Sequence, residues 1–239
     1  MSFFIMRETV RKALLNKQLP LVVAHRGGAA HGRENSIETI KAALPYKPDV
    51  IEVDVHKSRD GVLYCHHGKI PIGVSLAKLH RFLTFRHIQL FTGKRDTLAA
   101  VLAVIPADVG VFLDIKDSGV QAKDLLPIIR GRPNVWVSAY TVRHLRALRR
   151  GLGEDFFYLL NHPFFSLDKG LRRVQGVADS VNAFVWQWND ATRKKLEEAG
   201  IACAHVQWFV PRGYTEPPKK RREGVMWYLY KDPTKTHRT

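Results

Sequence analysis

At 239 residues, with 45% hydrophobic and 25% charged residues, the chain is long and apolar enough to bury one large core, which excludes a wholly disordered protein. Its net charge of +16 suggests an anionic partner, and a phosphate-bearing small molecule or an anionic membrane surface fits the rest of the sequence better than nucleic acid. Cys65 and Cys203 lie too far apart for a metal or redox motif and fit a reduced, cytoplasmic protein, and no stretch reaches the roughly 18 apolar residues of a membrane span.

Residues 3–16 carry apolar side chains at helical spacing and read as an amphipathic helix closing one end of the fold, or as a membrane-surface contact. Leu21-Val22-Val23-Ala24 is a continuous apolar run, as expected of a strand covered on both faces, and Gly27-Gly28 break it. A helix capped by Asn35 or Ser36 should follow through Ile37, Ile40, Ala43 and Leu44. Strands are predicted at 50–55 and 62–67, with the Asp60-Gly61 turn between them. That separation is too short for a helical crossover, so a hairpin or an extended return is expected there.

Strands are then predicted at 109–116, 135–140, 156–161, 181–188 and 201–206. Helical patterns at 97–105, 123–130, 142–150, 168–174 and 191–199 alternate with them. Together with the run at 21–25, this gives eight strands. The alternation predicts an α/β fold, a (β/α)8 barrel (TIM barrel) occupying residues 1–210 as one domain and irregular around its second and third strands. A doubly wound sheet would carry a Gly-x-Gly-x-x-Gly phosphate loop after its first strand, and His25-Arg26-Gly27-Gly28-Ala29-Ala30-His31-Gly32 lacks that spacing. Residues 211–239 read as a basic C-terminal tail, with eight Lys or Arg against three carboxylates and an aromatic patch at Trp227-Tyr228-Leu229-Tyr230.

Function in such a barrel gathers at the carboxyl ends of the strands. The first strand ends in His25-Arg26, the second carries Glu52 and Asp54, the third ends in His66-His67, and the fourth carries Asp114 and Lys116. Glu52 and Asp54 are two apart on a strand and share one face. Carboxylates on one buried face repel unless a cation joins them, so Glu52, Asp54 and Asp114 are expected to hold one divalent cation, Mg²⁺ or Ca²⁺, as hard oxygen donors do. His25 and His67 are the expected proton carriers, since imidazole titrates near neutrality. His66 is the competitor of His67, and neighbours on a strand face opposite ways. Arg26 and Lys116 could grip a phosphate. Glu34 could orient Arg26, Asn35 could fix the loop, and Trp186, with Trp188 and Asn189, could wall a pocket. Tyr140 and Asn161, at the ends of the fifth and sixth strands, are lesser candidates.

Taken together, His25-Arg26-Gly27, Glu34-Asn35-Ser36, Ile51-Glu52-Val53-Asp54-Val55, Asp60-Gly61-Val62 with His67, Leu113-Asp114-Ile115-Lys116 and Trp186-Gln187-Trp188-Asn189 resemble the glycerophosphodiester phosphodiesterase family over roughly residues 21–200. The resemblance implies a TIM barrel that hydrolyses glycerophosphodiesters to glycerol phosphate and an alcohol. It implies a divalent cation on Glu52, Asp54 and Asp114, acid/base chemistry by His25 and His67, and phosphate contacts from Arg26 and Lys116. The chain departs from the family pattern in having Gly68 where an aspartate usually follows the second histidine, and Asp114 where a glutamate usually stands. Two alternatives accompany this reading. One is lysophospholipase D-type hydrolysis of lipid phosphodiesters, with the basic tail touching an anionic membrane and the protein peripheral to it. The other is a catalytically weakened relative that binds anionic ligands.

Overall fold

The computed structural model describes residues 21–67, 82–161, 173–183, 194–195, 198–205 and 225–230. The expected helix at 3–16, the pocket residues Trp186, Trp188 and Asn189, and all of the 211–239 stretch except residues 225–230 lie outside the described residues. Among the described residues no helix is long and apolar enough to cross a membrane.

Nine strands are described: β1 (Leu21–Ala24), β2 (Val50–Lys57), β3 (Leu63–Cys65), β4 (Gly110–Ile115), β5 (Val135–Ala139), β6 (Phe157–Leu160), β7 (Ser180–Ala183), β8 (Ala202–His205) and β9 (Val225–Tyr230). The helices are α1 (Ile37–Ala43), α2 (Phe85–Thr92), α3 (Leu98–Val104), α4 (Ala122–Ile129) and α5 (Val142–Leu152). Running around the sheet, β1, β2, β4, β5, β6, β7, β8 and β9 pair in parallel, and β9 pairs back onto β1, so the ring closes. Asp49 ties the β1–β2 seam, where its Oδ2 accepts the buried Val22 N–H at 2.8 Å.

The barrel is therefore the expected eight-stranded one, but one of its eight strands is not the expected one. The run at 62–67 does not enter the ring: β3 folds back antiparallel on the end of β2, pairing Val55 with Cys65 and Lys57 with Leu63. The short Ser58–Gly61 turn leaves no room for a crossover, and a hairpin is what so short a link permits. The missing eighth strand is β9, drawn from the stretch read as a basic tail, with Leu21 paired to Trp227 and Ala24 to Tyr230. Val225-Met226-Trp227-Tyr228-Leu229-Tyr230 is a continuous apolar run of the kind buried parallel strands use.

Strand alternation divides the side chains. Ile51, Val53 and Val55 of β2, Val111, Leu113 and Ile115 of β4, and Val135, Val137 and Ala139 of β5 join one core with Leu98, Val101 and Leu102 of α3 and Leu145 and Leu148 of α5. The alternate positions face the barrel interior, where Phe112, Trp136 and Phe157 form a tilted aromatic series with centroids 6.0 and 5.4 Å apart. By register these rings stand level with Glu52, one layer below Asp54 and Asp114. Helix ends follow the sequence: Ser36, Thr84, Thr97 and Thr141 each accept a first-turn N–H through the side-chain oxygen. Helix α2 was not anticipated, although Thr84 is a cap of the usual kind.

Because β9 supplies both seams between β1 and β8, truncation after residue 210 is expected to leave two unpaired strand edges. The truncated chain should lose the single cooperative thermal transition of the full chain, measured by far-UV circular dichroism. A truncated chain that melts as the full one does would refute the ring-closing role of β9.

Candidate active site

Register, rather than side-chain reach, assembles the centre. Asp54 of β2 pairs with Asp114 of β4, and Asp114 pairs with Ser138 of β5. Paired residues on adjacent parallel strands face the same side about 4.8 Å apart. Glu52 stands two residues below Asp54 on the same face. One oxygen each from Glu52, Asp54 and Asp114 lies within 4.8 Å of the others, and all three residues are buried.

Each carboxylate is held differently. Glu52 accepts the backbone N–H of Arg26 at 2.6 Å and has His25 Nε2 at 3.8 Å. Asp54 Oδ2 accepts Asn35 Nδ2 at 2.8 Å, and Asn35 Oδ1 in turn accepts the Asp54 N–H at 2.9 Å. Asp114 accepts Ser138 Oγ at 2.6 Å, Tyr140 OH at 3.2 Å and Asn161 Nδ2 at 3.2 Å. Lys116 bridges the pair: its Nζ is 2.9 Å from Asp54 Oδ1 and donates to Asp114 Oδ2, with the Tyr140 ring centroid 5.0 Å away.

The electrostatics follow from that division. Burial, then repulsion from Asp54 and Asp114, pushes Glu52 well above the usual carboxylate range. Burial works the same way on Asp114, but Lys116 and the hydrogen bonds from Ser138 and Asn161 outweigh it and hold that carboxyl low. Burial opposes the Lys116 charge, yet Asp114 and Asp54 raise it well above an ordinary lysine. One ammonium thus stands among three buried carboxylates, and Glu52 lacks the neutralisation its neighbours have. That donor set fits one divalent cation held by Glu52, Asp54 and Asp114.

The β1–α1 loop delivers the other groups. Arg26, Gly27 and Gly28 take left-handed φ values of 54°, 79° and 90° in succession, which turns the chain at the strand end and aims the Arg26 N–H at Glu52. A Cβ on Gly27 would stand 2.8 Å from Ile40 Cγ1, so the close packing on α1 also requires glycine. Asn35 adopts a φ of 59°, and its N–H donates to Arg26 O at 2.9 Å. Glu34 grips Arg26 through both oxygens, at 3.0 and 2.8 Å from Nη1.

The two adjacent histidines part as alternation requires. His67 reaches the centre, with Nε2 2.8 Å from Arg26 Nη2 and Nδ1 3.7 Å from Glu34 Oε2. A guanidinium only donates, so Nε2 is the acceptor, and the imidazole proton sits on Nδ1, toward Glu34. Burial, with Arg26 and Lys116, lowers the His67 pKa despite Asp54. His66 turns away; burial and then Arg95 push it down to about 4, so it stays neutral.

Of the residues singled out from sequence, His25, Arg26, Glu34, Asn35, Glu52, Asp54, His67, Asp114 and Lys116 converge. Lys116 is absorbed into the carboxylate cluster, and Glu34 touches His67 as well as Arg26. Tyr140 and Asn161 turn out to be direct partners of Asp114. Ser138 was missed, because a serine in an apolar strand carries no signal until the β4–β5 register is known.

A ring of eight parallel strands with its polar groups at the carboxyl ends is the architecture of the TIM-barrel enzymes. Residues 25–197 match the Glycerophosphoryl diester phosphodiesterase family, and the chain belongs to it. It is similar to glycerophosphodiester phosphodiesterase GDPD4 of Arabidopsis thaliana, 31% identical over 147 residues, a match covering 52% of this chain and 44% of the relative's length. Among solved structures it resembles the glycerophosphodiester phosphodiesterase of Thermotoga maritima (TM-score 0.70, 22% identity, 90% of this chain and 96% of that one). It also resembles an Oleispira antarctica phosphodiesterase in complex with sn-glycerol-3-phosphate (TM-score 0.64, 16% identity, 91% of this chain and 95% of that one). At these identities the two structures establish the barrel fold.

The folded-state pKa of Glu52 is raised, so its contribution to stability is present in acid and is lost as pH rises through that value. Glu52→Gln, neutral throughout, should melt about 3 °C or more above the parent at neutral pH in chelator. Its melting temperature should no longer rise when calcium is added. Differential scanning fluorimetry with and without calcium checks both.

Proposed function

We propose that this protein is a metal-dependent phosphoric diester hydrolase that cleaves glycerophosphodiesters to glycerol phosphate and an alcohol. The observation that carries the reading is the convergence of three buried carboxylates with a lysine, an arginine and two histidines at one rim of the barrel. Family membership supports the reaction class. The sn-glycerol-3-phosphate bound to the Oleispira antarctica relative is a product of the expected kind.

Glu52, Asp54 and Asp114 would hold one divalent cation, which supplies a Lewis acid to the phosphodiester oxygens when bound. Arg26 and Lys116 are assigned to the phosphate as the two cations of the cluster. In the present arrangement Arg26 Nη2 covers His67 Nε2. A phosphate drawing the guanidinium toward itself would uncover that nitrogen. His67, kept neutral by burial, is then suited to take the proton of the attacking nucleophile (water directly, or a substrate hydroxyl whose cyclic ester water then opens), while Glu34 faces the Nδ1–H and stabilises the imidazolium that forms. Glu34 thereby does for His67 what the family's aspartate could do at the position of Gly68. His25, whose Nε2 lies beside Glu52, is suited to hold a proton and deliver it to the leaving alkoxide.

With glycerophosphocholine as substrate, His25→Ala and Glu52→Ala should each lower kcat at least about a thousandfold, and EDTA should do the same to the parent. Full activity of either variant would sink the mechanism. Glu34→Ala should lower kcat roughly ten- to a hundredfold and move the acid limb of the pH–rate profile down, because the imidazolium loses its carboxylate. An unchanged profile would reduce Glu34 to a loop anchor.

A further inference from the structure

Helix α2 buries only Ile88, while Leu90 and Phe91 stand 73% and 58% exposed and Phe82, just before the helix, 61% exposed. These are three of the four large hydrophobic side chains most exposed among the described residues, and they lie within ten positions of one another. Arg86 precedes Leu90 by one helical turn, so a cation and an apolar group share the outward face. Residues 82–95 contain Arg86, Lys94 and Arg95 and no carboxylate. Asp96, the next residue, is buried and turned inward, accepting the Ile37 N–H at 3.0 Å. Lys94 reaches Glu38 at 3.3 Å, but both side chains are more than 60% exposed, and such a pair yields readily to another anion.

The position of α2 matters as much as its composition. The Phe85 N–H donates to Asp60 Oδ1 and the Arg59 N–H to Leu83 O, both at 2.9 Å, and the Phe85 ring packs on Tyr64 at 5.4 Å. Asp60 belongs to the β2–β3 turn, beyond Asp54 at the carboxyl end of β2. Helix α2 is thus fastened on the side of the barrel where the carboxylates and His67 lie.

We propose that the face formed by Phe82, Leu90 and Phe91, with Arg86 and Lys94, docks this protein on an anionic phospholipid bilayer with the site's rim turned toward it. Apolar side chains this exposed suit insertion among acyl chains, and the neighbouring Arg86 and Lys94 match anionic headgroups. The net charge of +16 adds long-range attraction to the same surface. The docking is independent of the hydrolysis proposed above, and its test needs no turnover.

The experiment is co-sedimentation of the full chain with phosphatidylcholine vesicles with and without phosphatidylserine. The parent should partition onto the phosphatidylserine vesicles only. Leu90→Asp with Phe91→Asp should lower that partition about tenfold or more, and the milder Phe91→Ser should lower it in the same direction. Both variants should keep the parent's circular dichroism and melting temperature, since the altered side chains are exposed. Arg86→Glu with Lys94→Glu should weaken binding at low salt. Three results would overturn the proposal: a parent that stays in solution with anionic vesicles, aspartate variants that bind as the parent does (which would assign the contact to Lys219–Arg222), or variants that change only self-association in gel filtration.

Discussion

Everything in this barrel's centre answers to one constraint: Glu52, Asp54 and Asp114 are buried on one face, and their charges cannot stand together unaided. Lys116 neutralises Asp54 and Asp114 but leaves Glu52 to its neighbours' repulsion. The remaining contacts can be understood as shares of that load. Asn35 and Ser138 bind carboxylate oxygens without adding charge, and the Arg26 amide does the same for Glu52. Arg26 carries its charge close by, 3.7 Å from Asp54, but spends its best geometry on Glu34. The cluster is therefore short of positive charge at one corner, and that shortage is what a hard cation would fill.

The buried Phe112 and Trp136 rings, level with Glu52, sharpen the effect by lowering the polarity around it. In a low-dielectric setting both attraction and repulsion grow, so a centre with one more cation would be much more stable and one with none would be much less so. The loop after β1 belongs to the same logic. At the start of its left-handed turn, two consecutive residues, His25 and Arg26, bring a histidine, an N–H and a guanidinium to three points of one cluster.

Much of this was legible in the sequence, and the limits were physical. Glu52-x-Asp54 inside an apolar strand announces a shared face, and the His25-Arg26-Gly27 break announces a strand end with chemistry on it. The short link between the runs at 50–55 and 62–67 limits the connection to a hairpin or an extended return, and β3 takes the hairpin. Strand β9 was hidden because its neighbours Lys219–Arg222 and Pro217–Pro218 suggest a solvated tail, whereas its role depends on pairing with β1, which no local pattern encodes. Ser138 was hidden for the same reason, since only register makes it a neighbour of Asp114. Helix α2 is short, and of its apolar residues only Ile88 is buried while Leu90 and Phe91 face outward, so its pattern does not mark a core-facing helix even though its Thr84 cap is present. The two histidines were separable in principle by strand alternation, and the contacts of His67 decide the choice.

The hairpin that carries His67 bears on how the molecule comes to be folded. Glu52, Asp54 and His67 lie on neighbouring segments joined by a short turn, and Arg26 and Asn35 are a few tens of residues away, so this half of the centre closes small loops. The β1–β9 seam joins positions roughly 200 residues apart. Loop closure favours the short links early, and the ring can seal only after the last strand arrives. The chemistry-bearing quarter of the barrel can therefore be organised around its hairpin while the seam beside β1 is still open, so the strand that carries His25 and Arg26 is the last to gain its second neighbour.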